Sequence, residues 1–103
     1  MKIEILYFEG CPHHEPAEKA VRDVLNDLNL EAEIAHVDVC DGATAERVRF
    51  PGSPTIRVDG EDVAPVETDG SYSLRCRVYQ TPSGLAGVPD KEAIRAAIRR
   101  RAA

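Results

Sequence analysis

A chain of 103 residues, 43% hydrophobic and 30% charged, has material for one core of ordinary size, and its net charge of −5 argues against nucleic acid as a partner. No apolar run approaches the roughly 20 residues that span a bilayer, so no membrane partner is expected either. The three cysteines include no Cys-x-x-Cys pair, fit no zinc-finger spacing and are too few for a four-cysteine iron–sulfur cluster.

Lys2 to Phe8 is dense in β-formers and closed by Gly10, which predicts a first strand. Met1-Lys2 runs straight into it, without the pattern of a signal peptide. With an odd number of cysteines, this predicts reduced thiols and a cytoplasmic location. Ala17, Ala20, Val21, Val24, Leu25 and Leu28 then recur at helical spacing, giving an amphipathic helix that ends near Asn29. Cys11 falls at or just before its start, with Pro12 at a position where proline is tolerated and Pro16 in the first turn.

That placement carries chemistry. A helix start presents unpaired N–H groups and partial positive charge, which favours the thiolate, the form that attacks disulfides and binds soft metals. The competing reading is a small buried cysteine that only closes the strand. His14, three positions on, would share the edge with Cys11 and could hold or move a proton there. His13 is expected to be exposed, and His36 to be a core or edge histidine.

Glu31 to Val39 alternates as a second strand, and a crossover this long makes it parallel to the first and right-handed. Val39 and Cys40 then reach the edge that carries Cys11. Ala43 to Val48 is a candidate short helix, and Thr55 to Val58, Asp59-Gly60 and Glu61 to Val63 read as a hairpin. From Pro65 to Val88 runs a long segment with turns at Asp69-Gly70 and Thr81 to Gly84 and an alternating stretch from Ser71 to Tyr79. Within that stretch Leu74, Cys76 and Val78 form the expected core face, and Arg75, Arg77 and Tyr79 the solvated one. Arg75 and Arg77 could also hold an anionic group such as a glutathione carboxylate. The last helix begins at Pro89-Asp90 with Asp90 as N-cap; its stripe is Ala93, Ile94, Ala97 and Ile98, and Arg99 to Arg101 offset its C-terminal dipole.

Cys11-Pro12-His13-His14 together with Ser53-Pro54 ahead of a strand resembles the thioredoxin-like superfamily, with short glutaredoxin-like proteins the nearest pattern. The resemblance implies an α/β fold over residues 1–103: one domain, a four-stranded mixed sheet flanked by helices, and an insertion at about 65–88 before the last helix. It also implies a cis Ser53-Pro54 bond and a loop whose backbone pairs with substrate, so that Ser53 and Pro54 form the substrate-binding site. His14 stands where the family carries a second cysteine, which removes the two-cysteine cycle within the motif.

The expected function is monothiol thiol–disulfide exchange through Cys11 and His14, with no resident cofactor and with glutathione or a thiol/disulfide protein as partner. Cys76 or Cys40 is the candidate resolving thiol. Two alternatives stand beside it. One is a soft-metal or organomercury handler using Cys11, His14 and a further cysteine; Gly52-Ser53-Pro54 and Ser73 to Tyr79 resemble short thioredoxin-like proteins labelled organomercurial lyase. The other is a non-catalytic module that binds an extended peptide at Ser53-Pro54.

Overall fold

In the computed structural model, which describes residues 1–65 and 72–102, the apolar first strand β1 (Lys2–Tyr7) lies inside a four-stranded mixed sheet. The sheet order is β2-β1-β3-β4, with β2 at Glu33–Asp38, β3 at Thr55–Val58 and β4 at Glu61–Asp62. β1 runs parallel to β2, Ile5 opposite His36, and antiparallel to β3, Leu6 opposite Thr55. The parallel pair follows from its connection: α1 (His14–Asp27) crosses between the two strands.

The pleat of β1 divides two cores. Ile3 and Ile5 face Ala17, Val21 and Val24 of α1, and α3 (Lys91–Ala102) adds Ile94, Ala97 and Ile98 to the same layer. Leu6 faces the other way, to Val39, Phe50 and Ala45; the last belongs to α2 (Gly42–Arg47). Full burial of so many aliphatic side chains stabilises by roughly 1.5–3 kcal/mol each, and this fixes the register of β1 against a one-residue slip.

Turn chemistry sets the ends. Asn29 follows α1 at φ 55 and terminates it, and Asp59 and Gly60 both have positive φ (49 and 88), as the hairpin turn between β3 and β4 requires. Asp41 caps α2 by accepting the Thr44 N–H at 2.7 Å. The carbonyl of Asp90 accepts from the N–H groups of Ala93 and Ile94 and so opens α3.

The long segment between β4 and α3 carries a small hairpin, β5 (Tyr79–Thr81) and β6 (Gly84–Ala86). The expected turn at Asp69-Gly70 and the start of the alternating stretch at Ser71 lie outside the described residues. Burial alternates only from Cys76 to Tyr79, and there the faces are reversed; Leu74 and Arg75 are both exposed. Arg77 and Tyr79 are buried, at 5% and 4% exposure, whereas Leu74 and Val78 are exposed and so is Cys76. The reason is polar. The surface beneath the segment offers oxygen acceptors, and only the face with a guanidinium and a phenol can pair with them. Arg77 donates to Asp62, to Thr55 Oγ1 and to the Ala64 carbonyl, and the Tyr79 hydroxyl donates to the Pro54 carbonyl. Arg77 also lies over the Tyr79 ring, 4.4 Å from its centroid. It is therefore an internal strut rather than a solvated cation or an anion holder.

Candidate functional site

Cys11 is half-buried on the turn that leaves β1, after Gly10 with φ 91, and its N–H donates to the Phe8 carbonyl at 3.2 Å. Helix α1 starts later than the pattern around Pro12 predicts: His13 is its N-cap and His14 its first residue. Pro16 explains the delay. A helix opening at Pro12 would place Pro16 in its interior, where proline loses a backbone bond and meets the carbonyl four residues back. With His14 first, Pro16 falls third and costs nothing. Cys11 thus precedes the helix, separated from it by Pro12 and His13, instead of sitting in its first turn.

β1 and β3 are neighbours, with Leu6 opposite Thr55, so the Cys11 turn and the Ser53-Pro54 loop leave the same end of adjacent strands. Ser53-Pro54 is cis, as the resemblance implied. Ser53 is not open to a ligand, however. It is fully buried; its N–H donates to the Arg75 carbonyl at 2.8 Å and its carbonyl accepts the Arg77 N–H at 2.9 Å. Those two bonds form an isolated parallel bridge between Ser53 and Cys76. The chain's own residues 75–77 hold the backbone groups that were expected to face a substrate.

Cys76 therefore sits beside the loop as an exposed free thiol. Cys40 is exposed just beyond β2, and its Sγ contacts Thr44 Oγ1 at 3.7 Å. Cys40 also shares a cleft of about 130 Å³ with Phe8 and Leu74, at the same sheet end. None of the three cysteines is in a disulfide.

The histidines are arranged differently from the sequence expectation. His13 is half-buried, not exposed, and packs on Gly87 so closely that no Cβ fits there. His14 turns toward β2: its ring stacks on Tyr7 at 3.8 Å with planes 5° apart, and its Nε2 lies 2.9 Å from Nδ1 of His36. That nitrogen serves His36 rather than the Cys11 thiol. His36 Nε2 in turn lies 2.9 Å from Glu18 Oε1, and Arg22 donates to Glu18 Oε2 at 2.8 Å. The bonded Arg22 guanidinium holds the Glu18 carboxyl below the usual range, against a smaller opposing effect of burial.

Glu18 and Tyr7 escaped the sequence analysis, and His36 entered only as an edge histidine. One signal was present. His14, Glu18 and Arg22 recur every four residues, so they form a polar row flanking the apolar stripe of α1. What was missing was the register that sets His36 opposite Ile5 and hence beneath this row.

No family model, curated protein or solved structure matches this chain. Among the described residues no helix is long and apolar enough to cross a membrane.

Proposed function

We infer that the chain is a thioredoxin-like monothiol protein whose nucleophile is Cys11. The observation that carries this reading is the position of Cys11, half-buried on the turn leaving an inner strand, at the same sheet end as the Ser53-Pro54 loop. The element order β1-α1-β2-α2-β3-β4-α3, with β5 and β6 set between β4 and α3, supports the fold part of the reading.

The chemistry balances with glutathione as the reductant. The Cys11 thiolate attacks a glutathione mixed disulfide at the glutathione sulfur. A Cys11–glutathione disulfide forms, and the substrate leaves as its thiolate. A second glutathione thiolate attacks the glutathione sulfur of that adduct, giving glutathione disulfide and regenerating Cys11. Cys76 offers a second route: its thiolate attacks Cys11 Sγ, glutathione leaves, and a Cys11–Cys76 disulfide remains for external thiol to reduce.

Occupation of Ser53 by residues 75–77 favours a small thiol over an extended peptide. A peptide that docks by β-pairing needs a free N–H and C=O, and both are used. This weighs against the reading as a peptide-binding module. The metal-handling reading through Cys11 is weakened because His14 Nε2 is directed to His36 on β2, in a group with Glu18, and not to a cysteine.

The test is the rate at which the protein, with glutathione, reduces a glutathione mixed disulfide. Cys11→Ser should abolish turnover, while Cys40→Ser and Cys76→Ser retain it. Turnover that persists in Cys11→Ser would refute the assignment.

A further inference from the structure

We propose that His14, Glu18 and His36 form a binding site for one divalent transition-metal ion, zinc in the first instance. Each residue offers one donor atom, and these atoms all lie within 4.8 Å of one another. Donor atoms on a tetrahedral zinc ion, each bound at about 2.0–2.2 Å, are about 3.3 Å apart. His14 Nε2 lies 2.9 Å from His36 Nδ1 and Glu18 Oε1 lies 2.9 Å from His36 Nε2; these are the two nitrogens of one ring, and an ion takes one of them. Binding opens one of these two contacts, and the three donors, one from each residue and already within 4.8 Å of one another, close on the ion by side-chain rotation.

The donors are held from outside. Two come from one helix face at i and i+4, and the third comes from the strand beneath. Tyr7 lies flat against His14 and fixes its ring plane. Arg22 occupies Glu18 Oε2 and leaves Oε1 toward the histidines. Support of this kind from behind the ligands orients metal sites generally.

Charge and exposure agree with an exchangeable ion. The set holds one carboxylate and two imidazoles, and its Glu18 and His36 side chains are 29% and 35% exposed. In the protein as described, hydrogen bonds join the three groups: His14 to His36, and His36 to Glu18. A metal would displace the proton shared at the His36 nitrogen that it takes. Two nitrogens and one oxygen suit zinc better than a soft ion, and three protein ligands leave a fourth position for water or a small anion. This site involves no cysteine and does not depend on the thiol chemistry of Cys11.

The test is titration of the metal-free protein with cobalt(II), read by its visible absorption, followed by displacement with zinc(II). The expected result is one ion per chain, with no thiolate-to-cobalt charge-transfer band. His36→Gln and Glu18→Gln should each weaken binding by about 100-fold or more, and Cys11→Ser should leave it unchanged. Far-UV circular dichroism and urea midpoints confirm that the variants are folded. Absence of saturable binding, binding that survives either substitution, or binding lost in Cys11→Ser would overturn the proposal.

Discussion

Ser53 and Cys76 face each other across a two-bond parallel bridge, which ties the loop ahead of β3 to a segment more than twenty residues further along the chain. The bridge is closed by the Arg77–Asp62 ion pair and by the Tyr79 hydroxyl on the Pro54 carbonyl. The segment fills the loop's pairing edge and leaves Cys76 at the surface beside it.

Gly52 is required for that closeness. Its φ is +141°, and an added Cβ would lie 2.8 Å from Arg77 Cβ, with Arg77 backbone atoms at 3.2 and 3.3 Å. Gly52→Ala must push the segment off the loop, at a cost of about 2 kcal/mol. Urea denaturation should show the loss, and amide exchange at Ser53 and Arg77 should rise above that of β1.

Asp62 neutralises a guanidinium whose side chain is only 4% exposed. Removing the carboxylate in Asp62→Ala leaves Arg77 buried with no counter-charge, a loss of about 3–5 kcal/mol. Replacing Arg77 by Met should cost less, because Asp62 is the more exposed partner and can turn to water. Equal losses in the two variants would show that the pair is not effectively buried.

The four-stranded sheet was legible because its signals are local. The β-rich run of β1, the stripe of α1 and the Asp59-Gly60 turn each specify one element, and the long crossover specifies the parallel pairing. The segment from Leu74 to Tyr79 was misread because alternation gives two faces but not which one is buried. Hydrophobicity chose Leu74 and Val78; the oxygen acceptors around Asp62, Ala64 and Pro54 chose Arg77 and Tyr79. Cys11 lies on the turn after β1, where the strand-to-helix pattern placed it. The His14–His36 contact depends on β-sheet register joined to a helical repeat, and only the repeat is visible from a single stretch of sequence.

Stability should fall on both sides of neutrality, for different groups. Hydrogen bonds lower the carboxyls of Glu18, from Arg22; Asp23, from Lys19 and Lys91; Asp41, from Thr44; and Asp59, from the Lys2 N–H. The unfolded chain then binds their protons more tightly, so this stability is present above about pH 4 and is lost as pH drops through the lower folded values. Asp41→Asn keeps an oxygen for the Thr44 N–H and should flatten part of the acid limb. Burial raises the Tyr79 phenol, outweighing the opposing effect of Arg77. Its contribution is intact below about pH 10 and is lost as pH rises further. Tyr79→Phe should flatten that alkaline limb in urea midpoints measured against pH.

The central claim, that Cys11 is the reactive sulfur, makes a prediction opposite to simple exposure. Cys40 and Cys76 are exposed, whereas Cys11 is half-buried. Competitive labelling of the native protein with limiting iodoacetamide at pH 7, read by peptide mass spectrometry, gives the three alkylation rates side by side. The account predicts that Cys11 is alkylated fastest, despite its lower exposure. Rates that follow exposure, with Cys11 the slowest of the three, would contradict it.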